Sequence, residues 1–360
     1  MMIRFESVTK RYPDGTTAVD DLSLEVPRGG ITVFVGPSGC GKTTSLRMIN
    51  RMVEPTEGRI LINDEDVADR KPARLRRSIG YVIQHAGLFP HRTVLANVMT
   101  VPTLIGWDKG RARTAAMEAI EKVGLTADQA SRYPAQLSGG QQQRVGVARA
   151  LASDPEVVLM DEPFSAVDPL VRTDLQNEVR RLQRELGITV VLVTHDIDEA
   201  ISLGDHVAVM RQGGHLAQLA SPGELLTEPA DDFVASFVGK DRGYRKLGFT
   251  TTQVESDPEE TVALGEDVAA GRGWVLVADE DGQPLGWVDR RSGPGGAVRE
   301  EELHRMGSLA EVGDSARVFL DAALSAPSGR GVVVEDGRVV GTVVPERVLE
   351  AIRAQGGSAA

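Results

Sequence analysis

In the first two thirds of the chain, short apolar runs alternate with stretches whose apolar positions recur at helical spacing. "ITVFV", "SIGYVIQ", "EVVLM" and "ITVVLV" each read as a strand, and the unbroken apolar run of "EVVLM" suits the centre of a parallel sheet covered on both faces. "KTTSLRMINRM", "RTAAMEAIEKVGL" and "VGVARALA" read as helices, the middle one lying in a mostly helical insert between Gln84 and Leu137. From about residue 245 the pattern changes. "VLVADEDGQPLGWV" at Val275–Val288 and "VVVEDGRVVGTVV" at Val332–Val344 each predict two short strands joined at Asp-Gly, a hairpin signal. Each copy has a second glycine four residues on, Gly286 or Gly341, and these lie 55 residues apart. A helical run, "SARVFLDAALSA", precedes the second hairpin, and "PERVLEAIRAQ" follows it with Pro345 suited to a first helical turn. The first copy runs instead into "RRSGPGGA", where a helix is expected.

Composition bounds the reading. A chain of 360 residues, 41% of them hydrophobic, can build more than one core, so two domains are expected. The longest apolar run, Trp274 to Ala278, is far short of the roughly 20 residues a membrane helix needs. The charged N-terminus, "MMIRFESVTKRYPDG", is not a secretory signal, and the only cysteine, Cys40, has no partner in the chain. Both point to the cytoplasm. The formal charge of −12 disfavours nucleic acid as a partner. From residue 241 onward there are 13 basic and 21 acidic residues, a net of −8, which leaves −4 for the first 240. A basic cluster, Arg70, Lys71, Arg74, Arg76 and Arg77, reads as a solvated face.

The chemistry begins at "GPSGCGKT". Gly36, Pro37, Ser38, Gly39, Cys40 and Gly41, followed by Lys42, Thr43 and Thr44, fit the pattern G-x-x-x-x-G-K-[ST] between a strand and a helix. Glycines let backbone N–H groups curl around an anion, and the helix N-terminus adds partial positive charge. Lys42 would reach the β- and γ-phosphates and Thr43 would hold Mg²⁺. "EVVLMDEP" supplies carboxylates where open α/β sheets place ligands, Asp161 for Mg²⁺ and Glu162 to polarise the attacking water. Taken alone, such a pair is also a helix cap. His195, after "ITVVLVT", and Gln84, after "SIGYVI", would each pass for ordinary polar residues, but they follow one phosphate loop in a workable order.

With these residues in place, the first 240 positions resemble the ATP-binding subunit of an ABC transporter. The resemblance rests on the phosphate loop, Gln84, the signature "LSGGQ" at Leu137–Gln141, "VVLMDE", "SAVD" ending at Asp168, and His195. It implies a P-loop NTPase core over residues 1–240, with a helical subdomain at about 90–150. It also implies ATP and Mg²⁺ as ligands, Tyr12 stacked on adenine, and Glu162, His195 and Gln84 in hydrolysis, Gln84 also reaching the metal. Ser138, Gly139, Gly140 and Gln141 would face the γ-phosphate held by a second ATPase subunit, an identical copy in the simplest case. Leu88 and Phe89 lie where the family meets its membrane permease, although both are equally plausible as core.

The segment 246–355 resembles a pair of CBS modules in an α+β domain. In many such pairs a Thr and an Asp bind adenosine nucleotides; the corresponding places hold Val344 and Arg347 in the second copy and Asp289 and Ser292 in the first. An ATPase followed by a CBS pair resembles the importers of osmoprotectants such as glycine betaine, choline, carnitine or proline-like solutes. That resemblance implies permease and solute-binding partners, a place on the inner face of the membrane, and no nucleic acid. The alternatives are an importer of amino acids or other small solutes, and a soluble ABC ATPase acting on nucleic acid.

Overall fold

The computed structural model describes residues 1–84, 86–165, 167–250, 254–291 and 295–356. The chain forms two compact units, Met1–Gly239 and Lys240–Ala360. The change of pattern near residue 245 falls at the helix Arg242–Lys246, close to the start of the second unit.

The centre of the first unit is a six-stranded sheet. Its order is His215–Ala220, His206–Arg211, Ile31–Val35, Thr189–Val193, Val157–Asp161 and Ile79–Val82, parallel except for the first strand. Its strands Ile31–Val35, Thr189–Val193 and Val157–Asp161 are buried along their whole length because both faces are covered. On one face Val33 and Val35 join a core with Val145, Ala148, Phe164, Leu175 and Leu182. Phe34 points the other way, as the two-residue period requires, and meets Phe5 edge-on with ring centres 6.3 Å apart. Phe5 belongs to a second, antiparallel sheet of Thr17–Val26, Ile3–Arg11, Glu57–Ile62 and Glu65–Asp66. The helix Lys42–Ile49 buries Leu46, Met48 and Ile49 in the core that this sheet shares with the larger one.

Between Gln84 and Val157 the chain is helical, at Val94–Val98, Thr100–Leu104, Lys109–Lys122, Ala127–Ala130 and Gly139–Leu151. In the basic cluster, Arg70 pairs with Glu65 and Arg76 donates to the Arg51 carbonyl at 3.2 Å.

The repeat in the second unit is structural. Thr261–Val262 runs parallel to Trp274–Ala278, which pairs antiparallel with Pro284–Asp289; Leu309–Glu311, Gly331–Glu335 and Arg338–Val343 repeat the plan. The two sheets bury Leu276 and Trp287 against Val332 and Val334. The repeated glycine has a steric reason: a Cβ on Gly286 would lie 2.8 Å from the His304 carbonyl oxygen, and one on Gly341 2.5 Å from that of Asp257. Among the described residues of the two copies, the second alone carries helices, Ala316–Ser325 and Pro345–Gly356. Where the first copy was expected to be helical, the described residues form the short strand Gly296–Ala297 and a 3₁₀ turn at Glu300–Glu302. Ser292 lies outside the described residues.

An ion pair with a buried arginine stands in that place. Arg290, its side chain 4% exposed, donates to both carboxylate oxygens of Glu302 at 2.9 and 3.1 Å. These bonds, with the Arg299 amide, hold the Glu302 carboxyl at about 2. Its contribution to stability is therefore complete above the ordinary carboxylate value of about 4.3 and is lost as pH falls towards 2. Denaturation of the full chain should show Glu302→Gln less stable than the parent at pH 7, with the gap closing below about pH 3. A gap independent of pH would exclude this linkage.

Candidate active site

Three adjacent parallel strands end at one level. Phe34 pairs with Val193, and Val193 with Asp161, so the residues that follow, from Gly36, Glu162 and His195, leave the sheet side by side. A cavity of about 650 Å³ opens there, lined by Gly36 to Thr44, Glu162, His195, Ala18 and Phe237. A cleft of about 670 Å³ lies by Ile79 and Val157, at the other ends of their strands. Size does not separate the two; only the first holds the phosphate loop.

Gly36, Gly39 and Gly41 have φ of 156°, 76° and 90°. A side chain at Gly36 would place a Cβ 2.2 Å from the Met210 carbonyl oxygen, and one at Gly41 would lie 2.3 Å from that of Ala18. Neighbouring strands thus press on the loop from two sides. Lys42, buried at 6% exposure, folds back over it and donates to the carbonyls of Gly36 at 2.7 Å and Pro37 at 3.0 Å. Cys40 lies beneath, and burial pushes its thiol up from the ordinary range, which disfavours a reactive thiolate.

The Thr43 hydroxyl donates to Asp161 Oδ1 at 2.9 Å. These hard oxygens suit Mg²⁺, which takes one or two protein ligands and completes its shell with phosphate and water. Around Asp161 Oδ2 stand Arg47 at 3.3 Å and the Tyr81 hydroxyl at 3.5 Å. Burial pushes the Tyr81 phenol up, while Tyr81 and Asp161 raise Arg47.

Glu162 sits at φ 45°, a left-handed conformation uncommon outside glycine, and its amide donates to the Val193 carbonyl at 2.9 Å. The turn brings its Oε2 to 3.2 Å from His195 Nδ1. A carboxylate and an imidazole thus face the phosphate loop across one cavity.

The remaining expected residues are not gathered there. Tyr12 is 37% exposed beyond the strand Ile3–Arg11, with the Lys10 ammonium 5.2 Å from its ring centre. Gln84 is exposed beyond Val82 and does not line the cavity, nor do Ser138, Gly139, Gly140 and Gln141. Ser138 instead caps the helix Gly139–Leu151, accepting from the Gln141 amide at 3.3 Å while Gln141 accepts from the Ser138 amide at 3.0 Å. The structure adds Phe237, which stacks on Phe233 at 6.1 Å. Its only sequence signal was the spacing of two aromatic residues in "DFVASFV". Arg47 and Tyr81 carried no signal.

The family model for ABC transporters matches residues 19–165. The osmoprotectant import ATP-binding protein OsmV of Salmonella typhimurium is 43% identical over 97% of this chain and 96% of its own. The carnitine transport ATP-binding protein OpuCA of Listeria monocytogenes is 52% identical over 67% of this chain and 60% of its own. The glycine betaine uptake system ATP-binding protein YehX of Escherichia coli is 44% identical over 79% and 96%. Among solved structures, cbiO1 of Clostridium perfringens, part of the transporter complex cbiONQ, matches 69% of this chain and 94% of its own at 28% identity with a TM-score of 0.61. The dimeric cassette MJ0796 bound to ADP and Pi matches 61% and 99% at 34% identity with a TM-score of 0.56.

The loop geometry generates a paired test. Gly41→Ala meets both a left-handed φ and the Ala18 carbonyl, whereas Gly39→Ala meets the φ alone, with nothing within 4 Å of its Cβ. Backbone strain costs about 1–3 kcal/mol at either site. Gly41→Ala should additionally lose about tenfold or more in ATP affinity, measured by titration calorimetry. Equal losses would mean that the strand behind Gly41 does not shape the loop.

Proposed function

The chain belongs to the ABC transporter ATP-binding proteins, and from that premise we propose that it drives import of small compatible solutes, quaternary ammonium osmoprotectants such as glycine betaine, choline or carnitine. The observation that carries this reading is the end-to-end likeness to OsmV, which spans both units. No helix among the described residues is long and apolar enough to cross a membrane. The solute path therefore belongs to permease and solute-binding partners, with this subunit on the inner face.

The mechanism follows from the cavity. Amides of the loop from Gly36 to Gly41 receive the phosphates, and Lys42 exchanges its two carbonyl partners for phosphate oxygens. Thr43 and Asp161 would hold Mg²⁺, which would supply positive charge against the phosphates. Glu162 orients the attacking water and accepts its proton, and His195 steadies Glu162 and reaches the γ-phosphate. Ser138 to Gln141 lie outside this cavity and complete the site of a second subunit, as do the facing residues of that subunit here. The dimeric MJ0796 cassette supports this arrangement.

The second unit is a degenerate CBS pair with a regulatory role. Its second copy runs strand, helix, strand, strand, helix, while the first lacks both helices among its described residues. The places that bind adenosine nucleotides in many such pairs hold Val344 and Arg347 here, and Asp289 in the first copy, which argues against that ligand; Arg347 pairs with Asp257 at 3.2 Å and Asp289 with Arg291 at 2.8 Å.

With Mg-ATP, Glu162→Gln should bind without turnover and double in mass by light scattering, and Ser138→Arg should remain a monomer. Monomers in both cases would remove the dimer. The solute-binding subunit recovered with Glu162→Gln from native membranes should bind a quaternary ammonium saturably; binding only a sugar or a common amino acid would remove the osmoprotectant assignment and leave the ATPase.

A further inference from the structure

His195 is 61% exposed, yet both of its neighbours are pinned. The Thr194 amide donates to the Phe34 carbonyl at 3.1 Å, two residues before the phosphate loop. The Thr194 hydroxyl donates to Glu199 Oε2 at 2.6 Å and accepts from the Asp196 amide at 3.0 Å. Asp196 caps the helix Ile197–Leu203 through the amides of Asp198 and Glu199. The hydroxyl can hold the Asp196 amide only while its own proton is directed elsewhere, and Glu199 provides that direction.

Glu199 is 7% exposed, and burial pushes its carboxyl up, opposed by Thr194 and Arg172. Arg172 stands in the first turn of the helix Pro169–Leu186, with NH1 at 4.0 Å from both Glu199 Oε1 and Asp196 Oδ2. Its NH2 donates to the Val167 carbonyl at 3.4 Å, next to Asp168. Its Nε is buried without a hydrogen-bond partner. A buried donor without a partner carries a desolvation cost, which the remaining contacts of the guanidinium must offset.

We infer that Arg172 is a positioning residue for ATP hydrolysis, a strut that acts through Glu199 and Thr194 to hold His195 against Glu162 and ties that setting to the Val167–Asp168 segment. The inference rests on the proposed roles of Glu162 and His195. Its consequence is that a shift of Val167–Asp168, as on docking of a second subunit, reaches His195 without passing through nucleotide. Arg172 does not line the cavity that holds the phosphate loop, so its loss should act on turnover more than on nucleotide affinity.

The test is steady-state ATP hydrolysis by the full chain in Arg172→Ala, Arg172→Lys, Glu199→Gln and the Arg172→Ala/Glu199→Gln double variant, with Glu162→Gln alongside. Arg172→Ala should lower kcat about tenfold with KM for ATP changed less than about twofold, and Arg172→Lys should recover part of the loss. The double variant should be no slower than the slower single one, because both changes break one connection. Unchanged kcat, a rise in KM alone, or losses that multiply would each overturn the strut. Arg172→Lys and Glu199→Gln conserve size, so the outcome does not hinge on whether Arg172→Ala folds. If Glu162→Gln hydrolyses ATP like the parent, the reading of the site fails; if it is inactive while Arg172→Ala is not impaired, only the strut does.

Discussion

The register between three parallel strands is the constraint on which the site depends. Backbone pairing sets Phe34, Val193 and Asp161 in one row, so three loops leave the sheet at the same height with no further instruction. Because the strands are buried on both faces, a slip of one residue would exchange their side chains between the two cores and spoil the packing of both. The hydrophobic cores therefore also fix the distance between Glu162 and His195.

On that frame the phosphate loop is prepared rather than assembled on demand. Met210 and Ala18 occupy the space that side chains at Gly36 and Gly41 would need, and Lys42 fills the loop with its own ammonium. In the proposed binding mode, an incoming triphosphate replaces carbonyl partners of a lysine already in place, which would limit the ordering entropy of binding. Glu162 illustrates the opposite economy. Its left-handed backbone is unfavourable locally and is maintained by the Val193 carbonyl, which turns the carboxylate towards the imidazole.

The second unit shows how a repeat can persist after its copies diverge. Both copies keep the glycine that lets a neighbouring backbone approach, and both keep the sheet through which Trp287 and Leu276 meet Val332 and Val334. Among its described residues the first copy has an arginine–glutamate pair, its arginine buried, where the second has a helix. Such a pair is specific in geometry but depends on the ionisation of its carboxylate, unlike a packed apolar helix.

What the sequence by itself determined is local and periodic: the parallel strands from their apolar runs, the phosphate loop from its glycine spacing, the helical insert, and both Asp-Gly hairpins. These features arise from interactions within a few residues, so a linear reading captures them. The tertiary structure alone decided what depends on chain crossings. It drew Arg47 and Tyr81 to Asp161, set Phe237 at the cavity, joined Arg172 to Glu199, and left Tyr12, Gln84 and the Ser138 turn outside. Contacts between residues far apart in sequence are set by how the sheet and its helices pack, and no spacing along the chain encodes that.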